Sequence, residues 1–261
     1  MLRTVKLHEF LTGVHLAHRP RTYLEIGVGT GLSLAVSRCK TIAVDPNYQI
    51  SEEISADVQL RRMTSDDFFA QPRPTAHFGR LPVDLAFIDG LHLLDFALRD
   101  FINAERLCHR GSVIVLDDML PRNVPEAARD RHTGMWAGDV FKMIPILTEY
   151  RPDLTLMPID TWPTGTMVVI GADPSNRVLS QKYDEIIAKY LTQDPQEVHR
   201  AVTSRSLAYA PDEVLRADFW ATLRKLRFLP DRVGRRAVPK VSTTLDTNVK
   251  VRKRARRMIP A

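Results

Sequence analysis

Cysteine is nearly absent from this chain. Cys39 and Cys108 are the only two. They lie far apart without the spacing of a metal knuckle, so buried free thiols in a reducing, cytoplasmic setting are expected. Long apolar runs are missing too, and none is long enough to span a membrane. The opening residues, M-L-R-T-V-K-L-H-E-F, carry charge where a signal peptide would need an apolar core. No internal repeat is visible. Acids are scarce at one end. From Ala221 onward there are thirteen lysines and arginines against two acids, Asp231 and Asp246; the preceding residues hold 24 bases and 29 acids. The overall charge of +6 therefore hides a mildly acidic body and a basic tail. Such a body excludes a nucleic-acid-binding surface on charge alone, and no specific nucleic-acid partner is expected.

What is present is enough for a full core: 44% hydrophobic residues in 261, the size of one large domain or a domain with extensions. The chain is organised around Tyr23 to Asp45. An apolar strand, Tyr23 to Ile26, runs into glycines at alternate positions, Gly27, Gly29 and Gly31. A helix is expected over Leu32 to Arg38, then a strand from Thr41 to Val44 ending in Asp45. Strand, Gly-rich turn, helix, strand and acid make half of a nucleotide-binding α/β unit. Asp45 sits where a carboxylate can accept both hydroxyls of a ribose. The spacing is E-x-G-x-G-x-G and not the G-x-G-x-x-G of dinucleotide folds. Glu25 before the turn would repel a pyrophosphate and suits a ligand with an ammonium group.

The rest alternates in the same way. Leu7, Leu11 and Val14 share one face of a helix over Val5 to His18. A short helix is expected at Ser51 to Ser55, a strand at Asp57 to Arg62, and Ser65 as a helix N-cap. Val83 to Gly90 reads as a buried parallel strand. A helix from Leu93 to Cys108 should be stopped by Gly111, with a strand over Ser112 to Leu116. The connection from Met119 to Gly138 is long, and its Arg122, Asn123, Arg131, His132 and Trp136 look like substrate-facing chemistry. A helix from Asp139 to Tyr150 and strands at Leu154 to Ile159 and Thr166 to Gly171 follow. Further helices are expected over Arg177 to Leu191, Pro195 to Ser204 and Pro211 to Arg227, as a C-terminal cap or a dimer contact. The division is 1–173, a helical extension at 174–228, and a basic, disordered tail at 229–261. The fold class is α/β: a Rossmann-like, doubly wound, mostly parallel seven-stranded sheet with helices on both faces and an antiparallel last strand.

Acids end two strands that should be neighbours: Asp89 the first, Asp117 and Asp118 the next. Three carboxylates converging beside the pocket repel strongly unless a cation joins them. All-oxygen ligation selects a hard ion, Mg²⁺ first and Mn²⁺ or Ca²⁺ next. The plainer alternative is that Asp117 bonds loop amides.

The Gly-rich stretch resembles motif I of class I S-adenosylmethionine-dependent methyltransferases. F-I-D-G-L-H followed by V-L-D-D is similar to their metal-dependent O-methyltransferase branch, the catechol and bacterial macrolide-sugar or antibiotic-pathway enzymes. The resemblance covers about Tyr23 to Gly171. It implies that Glu25 to Gly31 wrap the methionine part of S-adenosylmethionine and that Asp45 holds the ribose. Asp66 would accept the adenine amino hydrogens, or serve only its helix dipole. Asp89, Asp117 and Asp118 would bind Mg²⁺. His92, three residues after the first acid, stands where the sugar-modifying enzymes have their proposed base. Its intrinsic pKa suits that work, although a helix-start histidine bonded to Asp89 or a loop carbonyl is the alternative.

The expected activity is therefore O-methylation of a small hydroxylated acceptor, sugar-like because the loop's only aromatic residue is Trp136. A non-catalytic cofactor-binding scaffold is the second reading. A nicotinamide oxidoreductase, opposed by the glycine spacing, is the third. A homo-oligomer is compatible with the C-terminal helices. The basic run from Lys250 to Arg257 is either a solvated tail or a weak electrostatic tether to an anionic membrane.

Overall fold

Apolar runs become the strands of a seven-stranded sheet in the computed structural model, which describes residues 4–229. The chain opens with β1 (Val5–Lys6) and α1 (Leu7–His18), then β2 (Thr22–Ile26), β3 (Lys40–Val44), β4 (Val58–Arg61) and α2 (Ser65–Phe69). Next come β5 (Val83–Ile88), α3 (Leu94–Leu107) and β6 (Cys108–Leu116). After the long connection follow α4 (Met143–Tyr150), β7 (Thr155–Ile159), β8 (Thr161–Trp162) and β9 (Thr166–Ile170). The chain then runs through α5 (Val178–Gln181), α6 (Tyr183–Tyr190), α7 (Arg200–Thr203), α8 (Pro211–Leu215) and α9 (Phe219–Leu226).

The sheet order is β4-β3-β2-β5-β6-β9-β7. Pairings from β4 to β6 are parallel, and β9 is antiparallel to both β6 and β7. The order reverses between β2 and β5, and ligands of such sheets sit in the crevice beyond the carboxyl ends there. Side chains alternate between two cores. Ala86 and Ile88 pack with Leu98 of α3 and Ile186 of α6, while Leu85 and Phe87 pack with Phe10 of α1 and Leu223 of α9. The C-terminal helices thus bury their apolar faces within the chain, on both sides of the sheet. A second, two-stranded sheet pairs β1 with β8 in parallel. No helix among the described residues is long and apolar enough to cross a membrane.

Several local expectations are corrected. The helix over Leu32 to Arg38 is only a 3₁₀ turn, Leu34–Val36. Its flanking hydroxyls bond sideways, Ser33 to Glu25 and Ser37 to Thr41, and Arg38 takes the carbonyls of Ala35 and Ser37; short polar side chains often divert backbone in this way. No helix forms at Ser51 to Ser55, because the backbone there pairs with the glycine loop: Gln49 N–H donates to Gly29 O and Ser51 N–H to Thr30 O. The cap of α2 is Thr64, one residue before Ser65, and it accepts from Asp67 N–H. Gly111 does not stop α3. It lies inside β6, where a Cβ would stand 2.5 Å from Leu223 O of α9. The helix expected from Pro195 is only α7, and Pro211 to Arg227 divides into α8 and α9. Of the tail expected to be disordered, 230–261 lies outside the described residues.

Candidate functional site

Two cavities open at the carboxyl ends of β2, β3, β5 and β6 and share a wall. The larger, a cleft of about 600 Å³, is lined by the glycine loop, Asp45, Ser65, Asp89, His92 and Phe96, among others. The smaller, a recess of about 280 Å³, is lined by Asp89, His92, Asp117 and Asp118 beyond the ends of β5 and β6, and by Arg131, Met135, Trp136, Pro163 and Thr164. Asp89 and His92 line both.

The glycine loop shapes the cleft. Gly27 has φ +85°, and a Cβ there would lie 1.8 Å from the Asp89 carbonyl oxygen. Only glycine lets β2 pass so close to the end of β5. At Gly29 a Cβ would meet no protein atom within 4 Å, so that position faces open space. Asp45 holds the loop from below. Its Oδ2 accepts from Val28 N–H (2.8 Å) and Gly29 N–H (3.0 Å), and its Oδ1 from Asn47 N–H (2.6 Å). Against the cost of burial, these bonds hold its carboxyl below the ordinary range. A carboxylate has about four acceptor positions, so Asp45 keeps capacity for ligand hydroxyls.

Two of the expected cofactor residues sit elsewhere. Glu25 is wholly buried and does not line the cleft. Burial pushes its carboxyl up to about 8, against the hydrogen bond from Ser33 Oγ at 2.6 Å. Asp66 accepts from Arg99 Nε and Nη2, at 3.0 and 2.9 Å, and the cleft is lined instead by its neighbours Thr64 and Ser65.

The acids at the strand ends do converge. His92 Nε2 lies 3.1 Å from Asp89 Oδ1, and His92 Nδ1 lies 2.9 Å from both Asp118 Oδ2 and the Trp136 carbonyl oxygen. Burial lowers the affinity of the imidazole for its proton. The two carboxylates outweigh burial and push His92 up to about 12. His92 and Asp118 both adopt left-handed backbone, φ 58° and 62°, a conformation that costs energy outside glycine and clusters at functional sites. Asp89, His92 and Asp118 each offer a ligand atom within 4.8 Å of the others. Asp117 is not in that trio. It lies beside it, 7% exposed, and burial together with the charges of Asp118 and Asp89 raises its carboxyl well above the usual range.

The long connection contributes unevenly. Arg131 and Trp136 line the recess, and His132 does not. Arg122 is consumed by an ion pair with buried Glu126, and Asn123 accepts from Glu126 N–H. Three residues that the sequence did not single out hold the site. Asp139, fully buried, accepts from Leu94 N–H at the start of α3 (2.8 Å) and from Arg129 (2.8 Å). Arg205, from the C-terminal helices, pairs with Asp160 and donates to the carbonyls of Leu120, Thr161 and Pro163, bracing the wall of the recess. Asp100, 2% exposed, lines the cleft beside Gly90, and its carboxyl is raised to about 7, chiefly by burial. The one signal for Asp100 was a polar residue on the apolar face that Ala97 and Phe101 define.

Residues 24–119 match the family model described as "Methyltransferase domain". The segment runs from β2 to just beyond β6, so the methyltransferase resemblance carried by the glycine spacing is borne out. No curated protein matches the sequence. Among solved structures, the chain is similar to the O-methyltransferase from Bacillus cereus in complex with SAH, at 16% identity over 62% of this chain and 80% of that one, with a TM-score of 0.46. It is likewise similar to the O-methyltransferase TomG from Streptomyces achromogenes, involved in tomaymycin synthesis, at 19% identity over 64% and 79% of the two chains, with a TM-score of 0.44.

Proposed function

We propose that this chain is an S-adenosylmethionine-dependent O-methyltransferase acting on a small hydroxylated acceptor. One observation carries the reading: a cleft floored by a glycine loop and a ribose-competent carboxylate meets a second recess, and Asp89 and His92 line both. Two reactants held in adjoining cavities convert a bimolecular encounter into an aligned one, which is most of what methyl transfer needs. In the reaction an oxygen–carbon bond forms as a sulfonium–carbon bond breaks, and one proton leaves the hydroxyl.

Asp45 would hold the ribose, and the open face at Gly29 leaves room for the methionine part. Asp89 and Asp118, with His92 between them, suit a divalent cation, and an imidazole within reach extends the choice from Mg²⁺ toward Mn²⁺. Such a cation, when bound, makes a neighbouring hydroxyl more acidic. His92 lines the acceptor recess together with Asp89, Asp117 and Asp118. As it stands, both its nitrogens are engaged by carboxylates that keep it protonated, so it serves as a base only when their charge is neutralised.

Binding of labelled S-adenosylmethionine tests the cleft. The wild type should bind it, and Gly29→Arg, which projects a long side chain into the open space, should abolish binding while far-UV circular dichroism is kept. Equal binding by that variant removes the cleft assignment and the function with it.

A further inference from the structure

We propose, on the methyl-transfer reading above, that the recess selects a single-ring acceptor bearing a carboxylate beside its adjacent hydroxyls, and that Arg131 reads the carboxylate.

Arg131 differs from its neighbours on the same loop. Arg122 is taken by Glu126, and Arg129 by Asp139 and Asp95. Arg131 pairs with no carboxylate among the described residues. It donates one bond, to Gly134 O at 3.2 Å, and its guanidinium lies 5.9 Å from the Trp136 ring. That ring is fixed: its Nε1–H donates to Ala128 O, and its face stacks on His92 at 5.3 Å and 13°. A guanidinium near a fixed aromatic ring, with one backbone bond, keeps most of its fork of donors available, and that fork matches a carboxylate bidentately. Part of the ordering cost is met before a ligand arrives.

Charge and size complete the argument. Apart from His92, Arg131 is the sole cation among the described residues that line the recess, and the same recess holds Asp89, Asp117 and Asp118. Acids and a guanidinium lining one recess orient a molecule whose hydroxyls go to the acids and whose anion goes to Arg131. A cavity of about 150 Å³ holds benzene, so about 280 Å³ holds one ring with short substituents. A dihydroxybenzoate and a sugar acid share this chemistry.

The test is equilibrium binding to the full chain with S-adenosylhomocysteine in the cleft, read by tryptophan fluorescence. The probes are 3,4-dihydroxybenzoate against its amide, and glucuronate against its amide. At least one acid should bind about fivefold tighter than its amide. Arg131→Gln should bring that ratio to about one, and Arg131→Lys should restore part of it. S-adenosylhomocysteine affinity is the folding control for both variants. Preference for the aromatic acid or the sugar acid says which ring the recess takes, and either supports the proposal. Equal affinity of acid and amide, an unchanged ratio in Arg131→Gln, or no binding of any probe with the cleft filled overturns it and leaves the methyl-transfer reading standing. Failure of S-adenosylhomocysteine to bind removes both.

Discussion

The His92 imidazole lies against the Trp136 indole with their planes 13° apart, and its Nδ1 is 2.9 Å from the carbonyl oxygen of the same tryptophan. One residue of the long connection thus holds the ring that separates the two cavities, by its face and by its backbone. The backbone contact survives any side-chain substitution, so the face can be tested alone. Trp136→Ala should lower kcat/KM for methyl transfer by about tenfold, the equivalent of a lost stacking contact of about 1.4 kcal/mol. Trp136→Phe should lose less. A parallel fall in S-adenosylmethionine affinity would mean that the loop has collapsed rather than that His92 has lost its support.

The trio of Asp89, His92 and Asp118 makes a separate prediction. Turnover should stop in EDTA and return with Mg²⁺ or Mn²⁺. Mn²⁺ binding, followed by electron paramagnetic resonance, should be lost in Asp118→Ala and only weakened in Asp117→Ala, because Asp117 stands outside the trio. Full activity in EDTA would sink the cation role.

Gly111 ties the sheet to the last helix. A Cβ there would sit 2.5 Å from Leu223 O and 3.0 Å from Arg227 N, backbone atoms that cannot swing aside. Gly111→Ala should destabilise the fold by about 2 kcal/mol, in the range of overpacked cores, and lower Tm by about 4 to 8 °C. An unchanged Tm would mean that α9 does not dock as described.

Stability should also fall in acid, and earlier than carboxylates alone would cause. His18 is fully buried, its Nε2 3.0 Å from Asp84 O and its Nδ1 without a hydrogen-bond partner among the described residues. Burial chiefly, with the charge of Arg227, lowers it to about 3. The unfolded chain takes up that proton near pH 6.5 and the folded chain does not. Stability therefore drops as pH falls from about 6.5 toward 3, by about 2 to 3 kcal/mol at about pH 4.5. Glu25 works in the opposite sense. Its carboxyl, raised to about 8, is protonated in the folded chain where the unfolded one is ionised, so stability falls as pH rises from about 4.5 to 8. Thermal unfolding across pH should show both limbs. His18→Gln should flatten the acid limb and Glu25→Gln the alkaline one; limbs that stay as steep would refute the assignments.

The sheet was legible because its strands are continuous apolar runs ending in glycine or acid, as Val83 to Gly90 does. Asp89 and Asp118 were legible for the same reason, since a strand end has only one place in such a sheet. Glu25 and Asp66 were not, because their partners, Ser33 and Arg99, are brought to them by the turn of the loop and the packing of α3. Asp139 and Arg205 act through backbone groups, and no spacing in a sequence records which carbonyl a distant side chain will meet. The short helices were overestimated wherever serine or glycine offered the backbone a lateral bond.

The pairing of β1 with β8 has a consequence for how the molecule is made. Val5 and Lys6 wait for Thr161 and Trp162, the residues that lead into the recess wall at Pro163 and Thr164. Leu7 and His8, next in line, border the cleft, whose lining ends at Asp100. During synthesis the described residues that line the cleft therefore emerge while the recess still lacks a side. β1 gains its partner β8 only as that missing side leaves the ribosome, so the wall of the recess is tied back to residues made well before it.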